Sequence, residues 1–171
     1  MDRETRYQNI LKTAKSTLDD YSMDEIGKMT VMAAILKMEF SEWIFCGFYR
    51  VIKPNLLEIG PYQGNILACS HIAFDHGVCG ASASKKKTII VDDVSTFPGY
   101  ISCDEKTVSE IVVPVIKNDD LIAVLDIDGN RVEQFNRIDL LYLENLVSYI
   151  YKKNPLQIAK GFIIRLMSGC V

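Results

Sequence analysis

Two apolar stretches near the middle of the chain, joined by a short polar turn, limit the possible folds more than any other feature. The first runs over Ser109–Ile116 and the second over Leu121–Asp128, with Asn118-Asp119-Asp120 between them. Both stretches are rich in β-branched residues, and a short polar connection between two such runs is typical of a β-hairpin. We therefore expect an antiparallel sheet with this hairpin at its centre.

Three acidic residues interrupt the apolar hairpin: Glu110, Asp126 and Asp128. Asp126 and Asp128 are two positions apart, so they face the same side of the second strand, and Glu110 on the first strand can reach that side. Two like charges about 7 Å apart repel each other unless a cation lies between them. A substrate ammonium is one such cation. Alternatively, the aspartates end the strand and cap the following turn. This alternative is stronger for Asp128 than for Asp126.

Helices are predicted on both sides of the strand-rich middle. Residues 3–20 have apolar side chains at helical spacing, and a second helix runs to about Met38 with Ser22 and Glu25 as its capping box. Its inward residues are expected to be Ile26, Met29, Thr30, Ala33, Ala34 and Leu36. A last helix is opened by Asn136 and Asp139 and ended by Pro155.

Shorter strands are predicted between these helices. An aromatic strand over residues 43–51 turns at Pro54-Asn55 into a partner over residues 56–60, and its alternation places Trp43, Phe45 and Tyr49 on one face. Cys46 lies between apolar neighbours on the other face, where it is expected to be an inert core thiol. Further strands are expected over residues 69–74 and 88–91. The order of the elements predicts an α+β fold with an antiparallel sheet.

The composition narrows the class of protein. A chain of 171 residues with 49% hydrophobic residues is expected to form one domain. The net charge of −3 argues against nucleic acid as a partner, because phosphate binding requires a basic surface. The chain has no apolar run of about 18 residues and its first residues do not resemble a secretory signal. We therefore expect a cytoplasmic protein without a membrane span.

Three of the five cysteines, Cys69, Cys79 and Cys103, lie in one polar, turn-rich stretch. Cys103 ends the long loop that begins at Asp92, and loops of this length are often functional. Cys79 lies in the apparent tight turn Gly77–Gly80, at the expected start of a short helix whose dipole favours the thiolate. An odd number of irregularly spaced cysteines argues against a static disulfide framework. Thiols that meet in this way suit redox chemistry, in which a sulfenic acid condenses with a second thiol.

A zinc site is the competing interpretation of the same stretch. Cys69, His71, His76, Cys79 and Cys103 are its candidate ligands. Their spacing lacks the paired cysteines or histidines that are typical of structural zinc sites. We expect no metal ion and no bound cofactor.

Seven short motifs, taken together, indicate a family. They are Gly47-Phe48-Tyr49, Gly60-Pro61-Tyr62-Gln63-Gly64, Gly77-Val78-Cys79-Gly80, Phe97-Pro98-Gly99, Cys103-Asp104, Ser109-Glu110-Ile111-Val112-Val113-Pro114 and Leu125-Asp126-Ile127-Asp128. In this order they resemble the free methionine-R-sulfoxide reductases, which are built on a GAF domain. The resemblance covers residues 3–151, so residues 1–154 are interpreted as a GAF domain and residues 155–171, with Cys170, as a tail of unknown role.

The resemblance implies a GAF-like fold with a six-stranded antiparallel sheet flanked by helices, usually in a homodimer. It implies reduction of free L-methionine-(R)-sulfoxide, with thioredoxin and NADPH as the external reductant. Cys103 matches the catalytic cysteine that becomes sulfenic acid, and Cys69 and Cys79 match the two that form disulfides with it. Glu110, Asp126 and Asp128 match the acidic groups that hold the substrate's ammonium and polarise the sulfoxide.

The chain departs from the family at several aromatic positions. Phe45 occupies the place of a usual tryptophan, with Trp43 two residues earlier, so either could cover the substrate's methyl group; Tyr62 is the third aromatic candidate for substrate contact. Tyr100 replaces a common histidine, and Ser102 a common alanine. A GAF domain that only binds a small ligand, or senses redox state, without catalysis is the alternative function.

Overall fold

The computed structural model describes residues 1–20 and 23–151, with the side chains of residues 19 and 20 left aside. The elements in chain order are α1 (Arg3–Asp20), α2 (Glu25–Glu39), β1 (Phe45–Lys53), β2 (Leu56–Gly64), β3 (His71–Ala73), α3 (Gly77–Lys85), β4 (Ile89–Val91), β5 (Ser109–Lys117), β6 (Asp120–Gly129) and α4 (Arg137–Val147). Single 3-10 turns follow β4 and α4.

The six strands form one sheet in the order β3-β2-β1-β6-β5-β4, and every neighbouring pair is antiparallel. The predicted hairpin, β5 and β6, lies inside the sheet, flanked by β1 and β4. This confirms the α+β, six-stranded antiparallel fold expected from the sequence. The hairpin strands are apolar on both faces because both faces are covered.

Alternate residues of the strands belong to two separate cores. On one face Cys46 and Phe48 of β1 pack with the apolar sides of α1, α2 and α4. On the other face Phe45 and Tyr49 pack with Val78 of α3. The period-two alternation therefore sends successive β1 residues to different cores. Cys46 is fully buried in the larger core, in agreement with its prediction as a core thiol.

Helix α4 is fixed to α1 through one buried carboxylate. Asp139 closes the α4 capping box with Asn136, as the sequence predicts. Its Oδ1 accepts hydrogen bonds from the Tyr7 hydroxyl at 2.7 Å and from Arg3 Nε at 2.6 Å. A fully buried carboxylate is stable here because it is paired and hydrogen-bonded.

Several helix boundaries differ from the sequence expectation. Asp24 caps α2, its side chain accepting from the Gly27 amide, so the prediction of Ser22 as the cap is wrong; Ser22 itself lies outside the described residues. Ile26 is 46% exposed and Thr30 is exposed, so neither faces inward as predicted. Helix α4 ends at Val147 rather than at Pro155, which lies outside the described residues together with the rest of the tail.

The sequence Gly77–Gly80 is not a tight turn but the first turn of α3. The sharp change of direction lies just before it, where Asp75 has a φ of +65° and Gly77 of +60°. Gly80 is needed for a different reason: a Cβ there would lie 2.3 Å from the Ala73 carbonyl oxygen. The glycines therefore allow a helix to start against the β3 backbone, which carries Cys79 into the second core.

The prediction that Trp43 shares a face with Phe45 is wrong. Trp43 precedes β1, so strand alternation does not apply to it. Its ring is stacked on Phe40, with centroids 4.1 Å apart, and belongs to the helix-covered core on the opposite side of the sheet.

None of the helices in residues 1–20 and 23–151 has the length and apolar character that a membrane crossing requires.

Candidate active site

Three carboxyl groups meet on the face of the sheet that α3 covers. Glu110 of β5 lies directly opposite Asp128 of β6, and Asp128 lies opposite Phe45 of β1. Asp126 lies opposite Val112 on one side and Gly47 on the other. The sequence predicted this shared face from strand alternation. On β5, Glu110 faces the same side as Val112, and on β6 the two aspartates face the same side as Val124; both valines belong to the second core.

All three carboxyl groups are buried: Glu110 is 5% exposed, Asp126 6% and Asp128 8%. Burial raises the pKa of Asp126 to about 6. Burial, and next the neighbouring Asp126 charge, raise the pKa values of Glu110 and Asp128 well above their ordinary range. Burial therefore favours the protonated forms of these groups, and perturbed carboxyl groups that cluster in a cavity indicate a candidate functional site.

Two of the three predicted thiols are joined. Cys69, in the loop before β3, forms a disulfide with Cys103, in the loop before β5; their Cα atoms are 5.5 Å apart. Cys103 lines the cavity above the acids. The sequence left open whether Cys69 or Cys79 pairs with Cys103, and in this structure it is Cys69.

Cys79 remains a free thiol, 3% exposed, with its Sγ 3.9 Å from Glu110 Oε1. Burial raises its pKa well above the ordinary value, and the Asp126 and Glu110 charges raise it further. The expectation that the start of α3 makes Cys79 a favoured thiolate is therefore wrong. Burial of the thiol, and next the charges of the surrounding acids, disfavour the thiolate at the start of α3.

The space above the acids is small in this disulfide-bonded form. One cavity has a volume of about 30 Å³ and is lined by Cys79, Tyr100, Cys103 and the three acids, among others. A second, of about 20 Å³, lies toward Phe45 and Ile66 and shares Cys103, Asp126 and Asp128 with the first. Since one water needs about 10–15 Å³, these volumes hold only a few waters.

Phe45, which lines the second cavity, packs against Tyr62. The centroids of the two rings are 5.4 Å apart and their planes are inclined by 27°. Gly47 makes room for this pair, because a Cβ there would lie 2.3 Å from Tyr62 Cβ and 2.8 Å from Phe45 Cζ. Of the two residues that the sequence left open, Phe45 lies beside the acids and Trp43 does not.

The loop that carries Cys103 is shaped by Asp104. Its Oδ1 accepts from the amides of Lys106 and Thr107, at 2.6 and 3.1 Å, and its Oδ2 accepts from the Thr107 hydroxyl at 2.6 Å. Asp104, Thr107 and Tyr49 all line the first cavity, although the sequence did not single them out as site residues. For Tyr49 a signal was present, since it shares the strand face of Phe45.

Comparison with known proteins gives this site a family. The GAF domain family model matches residues 21–150. The free methionine-R-sulfoxide reductase of Saccharomyces cerevisiae is 47% identical over 111 residues, which span 63% of this chain and 61% of that protein. The Escherichia coli protein of the same name is 35% identical over 120 residues, 70% of this chain and 72% of that protein. The chain belongs to the GAF-domain family of the free methionine-R-sulfoxide reductases.

A solved structure agrees in sequence and in backbone. The free methionine-R-sulfoxide reductase of Neisseria meningitidis, in complex with its substrate, superposes with a TM-score of 0.84 at 36% identity. The superposition covers 90% of this chain and 91% of that chain. The GAF fold expected from the sequence is therefore confirmed over nearly the whole described region.

The structure gathers most of the site residues predicted from this family. Six of them line the two cavities: Phe45, Cys79, Cys103, Glu110, Asp126 and Asp128. Cys69 joins them through its bond to Cys103, and Tyr62 through its contact with Phe45. Trp43 is not brought there, because it lies in the other core.

The five zinc ligands weighed from the sequence do not bring three ligand atoms together, although His76, Cys79 and Cys103 line the same cavity. Cys69 and Cys103 are bonded to each other, and the exposed His71 lies 3.4 Å from Glu58. A different group of donors does meet: among the described residues, one ligand atom each from Cys79, Glu110 and Asp126 lie within 4.8 Å of one another. Sequence spacing gave no sign of this group, since its members come from three separate elements.

Proposed function

We propose that this chain reduces free L-methionine-(R)-S-oxide to L-methionine by thiol chemistry. The observation that carries the proposal is the position of Cys103, which forms a disulfide and lines one cavity with three buried carboxyl groups. The relatives named above as free methionine-R-sulfoxide reductases support the choice of substrate.

The carboxyl groups select a free amino acid. Asp126 and Asp128 lie on one strand face, and a bound ammonium would relieve their mutual repulsion. An amino group within a peptide bond carries no charge, so methionine sulfoxide inside a protein lacks this interaction. Phe45 borders the same space and offers an apolar surface to the methyl group.

The reaction begins at Cys103 in its reduced form. The thiolate attacks the sulfoxide sulfur, and an acid protonates the departing oxygen. Glu110 suits that role, because burial raises its pKa and so favours its protonated form. The new bond between the two sulfur atoms and the sulfur–oxygen bond of the substrate then break as the oxygen moves to the Cys103 sulfur, so methionine leaves and Cys103 becomes a sulfenic acid.

The disulfide is the next state of the cycle. The Cys69 thiol attacks the sulfenic acid, an S–S bond forms and water is released. The Cys69–Cys103 disulfide is the state that this cycle predicts after the reaction, and the cavities beside it hold only a few waters. Thioredoxin, supplied by NADPH, then reduces the bond by thiol–disulfide exchange.

The setting of this cycle is part of the proposal. A thioredoxin-dependent enzyme works in a reducing compartment, so we place the chain in the cytoplasm. We further propose a homodimer of GAF domains, which sedimentation of the full chain would measure.

The deciding experiment follows NADPH oxidation in the presence of thioredoxin and thioredoxin reductase. We expect oxidation with the free R epimer, and none with the S epimer or with methionine sulfoxide inside a peptide. Cys103→Ser should lower turnover by at least about a thousandfold, while Cys46→Ala, a buried thiol on the other face, should keep it.

Absence of R-dependent oxidation in the unmodified protein contradicts the proposal. If the disulfide still formed and was reduced while no sulfoxide was consumed, the chain would be a redox-sensing GAF module instead.

A further inference from the structure

The buried side chains of Cys79, Glu110 and Asp126 converge on one point. One ligand atom from each lies within 4.8 Å of the others, and Cys79 Sγ is 3.9 Å from Glu110 Oε1. In a tetrahedral zinc site with ordinary bond lengths, a sulfur and an oxygen ligand are about 3.5 Å apart. Small side-chain shifts therefore suffice to bring these atoms onto one ion.

A second observation points to a missing partner. Asp126 Oδ1 is buried and has no hydrogen-bond partner within the described part of the chain, and Asp126 as a whole is only 6% exposed. Buried polar atoms are almost always paired with a donor, a water or an ion. Asp126 lines the first cavity together with Cys79 and Glu110.

We propose that Zn²⁺ binds between the Cys79 sulfur and the carboxylates of Glu110 and Asp126. A thiolate among the ligands favours Zn²⁺ over Mg²⁺ or Ca²⁺, which take oxygen ligands. Three bonds form to the metal, and the thiol proton, with any proton held by the carboxyl groups, passes to solvent. The cavity of about 30 Å³ leaves room for a water in the fourth position.

The site is present in the disulfide-bonded form, where it offers a thiol that the Cys69–Cys103 pair does not use. The same carboxyl groups would hold the substrate's ammonium, so ion and substrate exclude each other. That consequence rests on the proposed function. Binding of the ion does not, because it requires only the three ligands.

The test titrates the oxidised full-length chain with Zn²⁺ in a calorimeter and with Cd²⁺ in a spectrophotometer. Every sample carries Cys170→Ser, so that this thiol outside the described residues cannot bind the metal. Oxidation removes Cys69 and Cys103 from competition. We expect one ion per chain and a sulfur-to-cadmium charge-transfer band in the near ultraviolet.

Two alanine variants separate the site from a general effect of buried thiols. Cys79→Ala should lose the cadmium band and bind Zn²⁺ at least about a hundredfold more weakly, since even outer partners of a metal contribute about 10–100-fold in affinity. Cys46→Ala removes the other buried thiol of residues 1–20 and 23–151, on the opposite face of the sheet, and should change neither readout. Glu110→Gln should weaken Zn²⁺ binding and keep the band.

Absence of binding, or equal binding by Cys79→Ala, overturns the proposal. Should that variant not fold, alkylation of the Cys170→Ser chain decides: Zn²⁺ should protect Cys79 from a thiol reagent, and unprotected Cys79 overturns the site. A chain that binds Zn²⁺ but does not reduce methionine sulfoxide contradicts the proposed function alone.

Discussion

Glu110 and Asp128 lie directly opposite each other on β5 and β6, and both are more than nine-tenths buried. Acidic residues rarely form a buried cross-strand pair, because like charges repel and burial removes their hydration. Burial, and next the Asp126 charge, raise the pKa values of both groups, so the folded environment favours their protonated, uncharged forms. Burial of the two acids lowers the free energy of unfolding. We therefore infer that the pair is kept for the binding of a ligand.

Asp126→Asn should mainly raise KM for free methionine sulfoxide. The change removes a charge that holds the substrate's ammonium but keeps the shape of the side chain. A charged hydrogen bond contributes about 1.5–3 kcal/mol, so KM should rise about 10- to 100-fold, with a smaller change in kcat. Steady-state kinetics with the R epimer measure both values, and an unchanged KM would remove Asp126 from the binding site.

The same substitution should stabilise the fold at neutral pH. Burial raises the pKa of Asp126 from 3.8 to about 6, so its stabilising contribution is present below about pH 4 and is lost as the pH rises through about 6. A shift of this size corresponds to up to about 3 kcal/mol. Asp126→Asn should therefore unfold at a higher urea concentration than the unmodified chain above about pH 7.

The difference in unfolding free energy between Asp126→Asn and the unmodified chain should disappear near pH 4. At that pH the aspartate in the folded chain is neutral, as the asparagine is. Asp120→Asn, at the exposed first residue of β6, serves as the control. A gap that is equal at both pH values would show that the gain does not come from titration.

Substitutions at Trp43 and Phe45 should affect different quantities: the first the free energy of unfolding, the second KM. Trp43→Phe alters the helix-covered core and should lower the free energy of unfolding by about 1–3 kcal/mol, with KM unchanged. Phe45→Leu removes the ring beside the acids and should raise KM. Denaturation curves and kinetics of both variants decide the question that the sequence left open. A higher KM in Trp43→Phe alone would reverse the assignment.

Gly47→Ala should displace the Phe45–Tyr62 pair. The new Cβ would meet the Tyr62 Cβ at 2.3 Å and the Phe45 ring at 2.8 Å, so the aromatic pair must move. We expect a loss of about 1–3 kcal/mol in unfolding free energy and a raised KM. Gly99→Ala is the matched control: its Cβ meets nothing within 4 Å, and its φ of +72° adds only backbone strain. Equal effects of the two variants on KM would contradict a steric role for Gly47.

The parts of the fold that follow strand alternation could be predicted from the sequence. Glu110, Asp126 and Asp128 share a face because side chains in a strand alternate strictly, and their burial follows from the apolar neighbours on both strands. The hairpin turn at Asn118 and Asp119 could also be predicted from the sequence, because asparagine and aspartate tolerate the positive φ values that both residues adopt.

The parts that depend on a boundary or on tertiary contact could not be predicted. Trp43 was assigned to the wrong face because the strand begins two residues after it. Gly77–Gly80 was interpreted as a turn because glycine content does not distinguish a turn from a helix start pressed against a neighbouring backbone. The state of Cys79 depends on acids from β5 and β6 that approach it only in the folded chain.

The Cys69–Cys103 bond closes a covalent ring over a separation of 34 positions, and β3, α3, β4 and Cys79 all lie inside it. A ring of that size restricts the denatured chain by roughly 4 kcal/mol. Urea denaturation with and without a reductant measures this difference directly. In a cycle that forms and reduces the bond, every molecule alternates between a more stable disulfide-bonded form and a less stable reduced form. Its lifetime in the cell then depends on the rate at which the disulfide is reduced.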